Sequence, residues 1–365
     1  IDDLPDGVDV VVLCIPERAV VEAVETCARK RMGNVMIFAA GFAEVGGAGI
    51  AAQLRIAEVA RAAAMGIVGP NCLGLTNSLD GGVPLTFGTA DVRRVTGERR
   101  TLGIVAQSGA LAGIFRASIQ TRGLDVSYSI SSGNEAGLIR EDYLDYMLDE
   151  GKTDVFMLLL EDVKTPEKFK RVAEKALRLG KPLIVGKIGQ TAAGSRAVAS
   201  HTAALAGSQA AYKAMFEHYG LIEGRDFDEM IDTAVGFLAC ADKMPAGKRA
   251  GICTSSGGAG VWMADACVNA GLEVPELDKA TRAEIDLQIP SYGTSQNPVD
   301  STAQGVHKLG YAEFARLVAK SPLIDGVMVV VTARREAFLE NDLQRMKDLA
   351  RDSEKPVFML RYTLP

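Results

Sequence analysis

The chain has 365 residues, of which 48% are apolar and 24% are charged, and a formal net charge of −6 at pH 7. These proportions are typical of a globular protein, and the length predicts two or three domains. No block of basic residues stands out, and no stretch reaches the roughly 18 consecutive apolar residues of a spanning helix, so we expect neither a nucleic-acid-binding nor a membrane protein.

The six cysteines include no Cys-x-x-Cys pair, and most of them lie in apolar strand or helix patterns. They are therefore predicted to be reduced, buried thiols of a cytoplasmic protein. The chain has three histidines, and none of them is close to a pair of cysteines. We expect no zinc site and no other metal site.

The first segment alternates short apolar runs with amphipathic helices. The predicted elements are strands Val8–Ile15, Asn34–Ala39 and Gly66–Val68 and helices Glu17–Arg31 and Gly49–Met65. This βαβαβ order predicts a parallel, Rossmann-like sheet. No Gly-x-Gly-x-x-Gly follows the first strand, so the dinucleotide fingerprint is absent. Because a buried-type strand starts almost at once, we expect the domain to be incomplete at its N-terminal side.

Three strand-end loops of this sheet have the composition of turns or of a close approach to a ligand. In open α/β sheets, ligands bind beyond the carboxyl ends of the strands. Glycine and proline also end strands without any ligand, so this alternative stays open for each loop alone. The candidate binding residues are Ile15 and Pro16; Ala40, Gly41 and Phe42; and Pro70, Asn71 and Cys72. The following residues, 79–100, are predicted to form a connector.

Two further α/β segments follow, and they repeat each other. The second has predicted strands Leu102–Ala106, Val126–Ser131, Val155–Leu160 and Pro182–Lys187 and helices Ala110–Thr121, Arg140–Asp149 and Pro166–Leu179. The third has predicted strands Ala250–Thr254, Gly326–Val331 and Val357–Leu360 and helix Gly258–Ala270. Both contain, at one constant spacing, a strand, a Ser-Gly turn, a helix and a Gly-Leu-acid-Val stretch that is predicted to lead into the next strand. We therefore predict two flavodoxin-like, doubly wound parallel-sheet domains after the Rossmann-like one.

Both repeats place a Ser-Gly turn between a buried strand and a helix. The amides of a helix's first turn lack backbone partners, and the helix dipole adds about half a positive charge there. Such a turn binds phosphate without a lysine; serine and glycine also occur there simply as an N-cap and a turn residue. The candidate phosphate-binding residues are Gln107, Ser108, Gly109 and Ala110 in the first turn and Ser256, Gly257 and Gly258 in the second.

A run of small residues from Gly189 to Ser208 carries one histidine, His201. It connects a predicted strand to a predicted helix, and functional residues are frequent on such loops. Neutral imidazole is nucleophilic near pH 7, and a carboxylate that accepts a hydrogen bond from one ring nitrogen leaves the other free to attack. The alternative is a histidine in a surface loop with no chemical role.

Several segments together resemble the NDP-forming acyl-CoA synthetases, of the succinyl-CoA synthetase superfamily and typified by ADP-forming acetyl-CoA synthetase. Ser200–Ser208 resembles the phosphohistidine segment of this family, which usually has glycine at the position of Ala203. Gly69–Gly74 resembles the Gly-Pro-Asn-Cys-x-Gly loop, Ala106–Leu111 resembles the phosphate-binding helix start, and Asn297–Asp300 resembles a further family segment. The resemblance covers essentially the whole chain as the CoA-ligase part, without an ATP-grasp module.

The resemblance implies an enzyme that converts a carboxylic acid, CoA and ATP to acyl-CoA, ADP and phosphate through an acyl phosphate and a phosphohistidine. His201 would be phosphorylated, and Glu161, which follows a predicted strand, would be the glutamate that orients it. The implied domains are a CoA-binding domain at 1–90 and ligase domains at 100–245 and 248–365. CoA would contact the three strand-end loops, and the two Ser-Gly turns would bind the phosphoryl group.

The resemblance also implies that ATP or ADP with Mg²⁺ is held by an ATP-grasp domain or subunit, in a homo- or hetero-oligomer. For Glu161, a solvent-facing carboxylate at a strand end is the alternative. A CoA-sensing regulatory module, like those fused to protein acetyltransferases, is the second function considered, and a nicotinamide-dependent oxidoreductase is the third. Which acid is activated depends on a few pocket side chains, for which loops 40–44, 71–74 and 131–134 are candidates.

Overall fold

The computed structural model describes residues 1–79, 82–87, 93–194, 196, 209–332 and 336–361. The chain is divided between two compact units, Ile1–Ala239 and Cys240–Pro365. Among the described residues, no helix is both long enough and apolar enough to cross a membrane.

The first unit begins with a three-stranded parallel sheet in the order β1-β2-β3. Its elements are β1 (Val10–Leu13), α1 (Val20–Arg29), β2 (Asn34–Ile37), α2 (Gly47–Ala62) and β3 (Gly66–Val68). Helix α1 buries Val20, Val24 and Cys27, which are spaced to lie on one face. They pack with the β-branched residues of the strands in one apolar core. The predicted βαβαβ order is confirmed.

A seven-stranded sheet follows in the same unit, in the order β10-β9-β8-β6-β7-β4-β5. Its strands are β4 (Gly74–Asn77), β5 (Val83–Thr86), β6 (Thr101–Ala106), β7 (Asp125–Ser131), β8 (Val155–Leu160), β9 (Leu183–Lys187) and β10 (Ile222–Glu223). Its helices are α3 (Gly109–Thr121), α4 (Arg140–Glu150), α5 (Pro166–Arg178), α6 (Gln209–His218) and α7 (Phe227–Cys240). Every residue of β6 and β8 is buried, as expected for central strands with helices on both faces.

Strands β6 to β10 are parallel and stand in the order β7-β6-β8-β9-β10. This is the flavodoxin order, so the predicted fold of this segment is confirmed. The hairpin of β4 and β5 extends the sheet with antiparallel pairs to β7. The prediction of a plain connector at 79–100 is therefore wrong for Val83–Thr86. Pro84 interrupts the apolar pattern there, which a strand tolerates at the edge of a sheet, where β5 lies.

The second unit has a four-stranded parallel sheet in the order β12-β11-β13-β14. Its strands are β11 (Ala250–Thr254), β12 (Val299–Asp300), β13 (Gly326–Val331) and β14 (Val357–Arg361). Its helices are α8 (Gly257–Asn269), α9 (Lys279–Asp286), α10 (Thr302–Leu309), α11 (Tyr311–Ala319) and α12 (Glu336–Asp352). With β11 as the first strand, the order matches that around β6, so the predicted repeat extends to sheet topology.

The repeat departs from the prediction after α8. The stretch matching the start of β7 forms an isolated parallel bridge at Glu273 instead of a strand. The other end of β11 pairs with β12. Between the two, the Asn297 side chain replaces strand pairing: it donates to the carbonyls of Ala250 and Pro275, both at 2.8 Å, and accepts from the Ile252 amide at 2.9 Å. Asn297 thus completes the hydrogen bonding along this side of β11.

Because three backbone groups depend on this side chain, we expect Asn297→Ala to lower the free energy of unfolding of the second unit by about 2–4 kcal/mol. Urea unfolding followed by the reactivity of the Cys253 thiol, which is fully buried in β11, reports on this unit. Asn269→Ala, at an exposed position of α8, is the matched control and should change the free energy of unfolding by less than about 0.5 kcal/mol. Equal effects of the two substitutions would contradict the bridging role.

Candidate functional site

The loops that follow β6 and β8 meet at the carboxyl edge of the seven-stranded sheet. Strand β7 pairs with one edge of β6, and β8, which comes next in the chain, pairs with the opposite edge of β6. The carboxyl ends of β6 and β8 therefore flank a topological switch point, where open α/β sheets bind ligands. Gln107 follows β6 and Glu161 follows β8, and the Glu161 amide donates to Gln107 Oε1 at 2.7 Å. The structure brings these two predicted residues together.

Glu161 is 9% exposed, so it is not a carboxylate facing bulk solvent. The end of the neighbouring strand β9 supplies Lys187, which is also buried and lies 4.9 Å from the centre of the Tyr212 ring. Burial lowers the pKa of Lys187, and the negative charges of Asp162 and Glu161 partly oppose that shift. Lys187 could not be predicted as a buried residue from the sequence, since a lysine at the end of an apolar run also fits a solvent-facing strand end.

A buried arginine, also missed by the sequence analysis, connects the loops at this edge. Arg140, the first residue of α4, is 1% exposed. It donates to Gln107 Oε1 at 2.9 Å, to Glu135 Oε2 at 2.7 Å and to Asp162 Oδ1 at 3.1 Å. It also donates to the Asp162 carbonyl. Nothing in the helical pattern of residues 140–149 marked its first residue as buried.

The start of α3 has no side-chain cap among the described residues. Ser108 is the N-cap in an extended conformation, and its side chain makes no capping hydrogen bond. A Cβ on Gly109 would lie 2.3 Å from Leu73 Cγ, so the close approach of that loop requires glycine. Ala110 is exposed. The side chain of Gln107 is hydrogen-bonded to Glu161 and Arg140, so Gln107 would contact an anion through its backbone.

His201 lies outside the described residues, but the two ends of its loop are described. Gln190 Nε2 donates to the Lys187 carbonyl at 2.8 Å. Gln209 Nε2, at the start of α6, donates to Gln190 Oε1 at 3.1 Å. The segment between Gln190 and Gln209 therefore leaves and rejoins the unit at one place, at the carboxyl end of β9.

The loops after β1, β2 and β3 divide into buried and accessible residues. The side chains of Phe42 and Cys72 are buried, as is Pro70, so they serve the core. The Cys72 thiol donates to the Ile37 carbonyl at 3.4 Å, and burial raises its pKa to about 11. Five candidate residues keep some exposure: Ile15, Pro16, Ala40, Gly41 and Asn71.

The amides of the loop after β2 are occupied by a carboxylate of the same loop. Glu44 accepts from the Gly41 amide at 2.6 Å and from the Phe42 amide at 3.2 Å. Asn134 Nδ2 also donates to Glu44. Burial opposes ionisation, yet these hydrogen bonds hold the pKa of Glu44 below its ordinary value. An anion binding to these two amides has to replace Glu44.

The loop after β7 contacts the loop after β3. The Asn134 amide donates to the Pro70 carbonyl at 2.8 Å, and Asn71 Nδ2 donates to Asn134 Oδ1 at 3.3 Å. A Cβ on Gly133 would lie 2.3 Å from the Pro70 oxygen, and its φ of +61° also favours glycine. Two of the three segments considered for acid recognition, 71–74 and 131–134, therefore lie against each other.

In the second unit, the equivalent switch point lies between β11 and β13. Ser255 Oγ is 2.8 Å from Tyr311 Oη and 2.7 Å from Thr332 Oγ1, which joins the ends of the two strands. Ser256 is the N-cap of α8 and makes no side-chain capping bond. Gly257 and Gly258 are exposed. Within the described parts of both units, no group of His, Cys, Asp and Glu is arranged to hold a metal ion.

Three family models match the chain. They are described as a CoA binding domain, at residues 1–78; a succinyl-CoA ligase like flavodoxin domain, at 99–237; and a ligase-CoA domain, at 250–336.

Curated relatives are ADP-forming or acyl-CoA-forming ligases. The alpha subunit of acetate–CoA ligase [ADP-forming] II from Pyrococcus furiosus is 32% identical over 333 residues, covering 90% of this chain and 70% of the relative. Acetate–CoA ligase [ADP-forming] I from Archaeoglobus fulgidus is 32% identical over 329 residues, covering 90% of this chain and 46% of the relative. Trans-feruloyl-CoA synthase FCS1, from an unknown prokaryotic organism, is 34% identical over 304 residues, covering 83% and 43%. The chain thus spans less than half of the last two proteins.

A solved structure is similar over the full chain. Acetyl-coenzyme A synthetase 1 of Ca. Korarchaeum cryptofilum, in complex with phosphate and ADP, matches with a TM-score of 0.83 and 26% identity, covering 100% of this chain and 77% of that one.

The contrast between two thiols tests the loop geometry. Cys14 follows β1 and is exposed, whereas Cys72 is buried. With its pKa raised to about 11, Cys72 carries little thiolate at pH 8. We expect iodoacetamide at pH 8 to modify Cys14 at least about 100-fold faster than Cys72, measured by peptide mass spectrometry. Both should react at similar rates in 8 M urea; comparable rates in the folded chain would contradict the buried position of Cys72.

Proposed function

The chain belongs to the family of ADP-forming acyl-CoA synthetases, and on that premise we propose that it is the CoA-ligase part of such an enzyme. The reaction is the conversion of a carboxylic acid, CoA and ATP to acyl-CoA, ADP and phosphate. The observation that carries the proposal is the pairing of Glu161 with Gln107 at the switch point between β6 and β8. This pairing lies one strand away from β9, where both ends of the His201 loop meet.

His201 is the proposed nucleophile and Glu161 its orienting carboxylate. A phosphoryl group from ATP forms a bond to one imidazole nitrogen, with ADP as the leaving group. The second nitrogen keeps its proton and donates it in a hydrogen bond to Glu161, which fixes the reactive tautomer. A carboxylate oxygen of the acid then attacks phosphorus, the nitrogen–phosphorus bond breaks, and the acyl phosphate forms as His201 returns to neutral imidazole. The CoA sulfur attacks the acyl carbon, the bond from that carbon to the phosphate oxygen breaks, and phosphate leaves with the thiol proton.

The phosphoryl group carries about two negative charges, which fits the uncapped start of α3. The amides of Ser108, Gly109 and Ala110 supply partial positive charge without a fixed cation. Such amides stabilise the phosphohistidine without binding it as strongly as a lysine or a metal ion does. The amides of Ser256, Gly257 and Gly258 are proposed to act in the same way.

CoA is proposed to bind at the loops after β1, β2 and β3. Ile15, Pro16, Ala40, Gly41 and Asn71 offer accessible surface there. The buried Phe42, Pro70 and Cys72 contribute through the backbone. The loop from Ser131 to Asn134 is next to this site, so it is the proposed place where the acid meets the CoA sulfur. Relatives are named for acetate, ferulate and 4-hydroxybutyrate, so these acids form the first panel of substrates.

The domain division at 1–90, 100–245 and 248–365 is part of the proposal, as are a cytoplasmic location and an oligomer with an ATP-grasp domain or subunit. The Pyrococcus furiosus relative is named as an alpha subunit, which supports a separate nucleotide-binding partner. ATP or ADP with Mg²⁺ would be held by that partner.

The proposal predicts a phosphorylated histidine. The protein is incubated with γ-labelled ATP, Mg²⁺ and its ATP-grasp domain or subunit, and the label is measured after acid and base treatment. We expect label that acid removes and base preserves, and that is lost in His201→Ala. Glu161→Gln should lower the labelling rate by about 100-fold or more, because the carboxylate fixes the tautomer.

His218→Ala is the matched control, since His218 is an exposed histidine of α6. It should keep the full label. Label that persists in His201→Ala would contradict the assignment. Binding of CoA, measured by calorimetry, without any label in the unaltered protein would indicate a CoA-sensing module instead.

A further inference from the structure

We propose that Arg140 is a positioning residue for Glu161, acting through Gln107 and Asp162; this inference rests on the proposed function. Arg140 itself is not open to a substrate. It is 1% exposed, and its guanidinium lies beneath the loops at the carboxyl edge. Its effect is therefore on the geometry of the residues around it.

The guanidinium joins the loops that follow three adjacent strands. Gln107 follows β6, Glu135 belongs to the loop after β7, and Asp162 belongs to the loop after β8. Arg140 bonds to all three at 2.7–3.1 Å. A planar guanidinium presents several N–H groups in fixed directions, so one side chain can hold three loops in one arrangement. These loops surround the switch point.

Arg140 also fixes which way the Gln107 amide points. Gln107 Oε1 accepts from Arg140 Nη1 at 2.9 Å and from the Glu161 amide at 2.7 Å. Gln107 Nε2 donates to Asp162 Oδ1 at 3.2 Å. A flipped amide would place N–H groups against two donors and the oxygen against a carboxylate. The partners therefore leave one orientation, and it is the one that holds Glu161.

Both sides of Glu161 are held by this network. Its own amide is bonded to Gln107, and the carbonyl and carboxylate of the next residue, Asp162, accept from Arg140. The preceding residue, Leu160, is paired within the sheet to Lys187. Since the backbone on either side is fixed, the direction in which the Glu161 side chain leaves the sheet is fixed as well. A carboxylate that must accept a hydrogen bond from one nitrogen of His201 needs such a direction.

The positive charge of Arg140 is needed as well as its shape, because buried carboxylates surround it. Glu135 and Glu141 are buried beside it, with Glu141 Oε2 at 3.9 Å from Nε, and Asp162 is mostly buried. Lys164, at 3.9 Å from Glu135, is the nearest further cation to that carboxylate among the described ion pairs. Removing the guanidinium leaves buried carboxylates without their main partner. Lysine keeps the charge, but its one nitrogen cannot take the place of both Nη1, which bonds to Gln107, and Nη2, which bonds to Glu135 and Asp162.

A general structural role for Arg140 is the competing explanation, and α4 offers a matched control. Lys175, on α5, bonds to Asp145 and Asp149 on the same helix α4. It contacts none of the residues of the network. Lys175→Met removes a partly buried cation that holds α4, without changing the switch point. Because Arg140 is more deeply buried than Lys175, the melting temperature of each variant is measured beside its rate, and a purely structural effect should lower the rate in step with the melting temperature.

The test measures the single-turnover rate of His201 labelling from γ-labelled ATP, and the KM for CoA, in the complete protein with its ATP-grasp part. For Arg140→Met we expect a labelling rate lower by about 100-fold or more and a KM for CoA within about threefold of the unaltered protein. Arg140→Lys should recover about tenfold of the lost rate. Lys175→Met should stay within about twofold.

A double-mutant cycle tests whether Arg140 acts through Gln107. If it does, the fold-loss of rate caused by Gln107→Ala should be smaller in the Arg140→Met background than in the unaltered protein, by about tenfold or more. Multiplicative effects would contradict the proposal, as would equal losses in Arg140→Met and Lys175→Met. Should Arg140→Met not fold, Arg140→Lys decides: a loss of about tenfold with an unchanged melting temperature supports the proposal, and an unchanged rate overturns it.

Labelling of the unaltered protein separates the positioning role of Arg140 from the proposed function. Label on His201 with an unchanged rate in Arg140→Met overturns the positioning role and leaves the proposed function intact. No label on His201 in the unaltered protein overturns the proposed function and this inference with it.

Discussion

The hydrogen bond from the Glu161 amide to the Gln107 side chain joins the ends of β6 and β8, and the candidate site depends on it. In the flavodoxin strand order, β6 and β8 are adjacent, and the connections that leave their carboxyl ends run in opposite directions along the sheet. The same bond is supported from below by Arg140, which also holds Asp162. Fold and chemistry are thus linked at one place: the sheet order creates the opening, and a buried polar network sets the direction of the carboxylate within it.

The contact between the loops after β3 and β7 has a second consequence. Asn134 bonds to the Pro70 carbonyl and to Glu44, so the loops proposed to bind CoA are tied to the loop at the edge of the seven-stranded sheet. The hairpin of β4 and β5 strengthens this link, because it leaves the first sheet and pairs with β7. The Rossmann-like segment and the flavodoxin-like segment therefore form one compact unit.

Much of this architecture could be predicted from the sequence, because strands such as β3, β8, β11 and β13 are continuous apolar runs bounded by turns. The Ser-Gly turns were predicted for the same reason. The strand β5 was missed because Pro84 interrupts its pattern, and the strand expected after α8 is replaced by a side chain, Asn297, which no periodicity reveals. Arg140 and Lys187 were missed because their burial depends on partners that are distant in sequence.

The most direct measurement of the central claim is a structure of the protein with its phosphorylated histidine trapped. We expect the nitrogen of His201 that is not bonded to phosphorus to lie about 2.7–3.2 Å from a Glu161 carboxylate oxygen. The Glu161 amide should still be bonded to Gln107, and the phosphoryl oxygens should contact the amides at the start of α3. A phosphorylated His201 whose ring has no contact with Glu161, while Gln107 still holds that residue, would contradict the account.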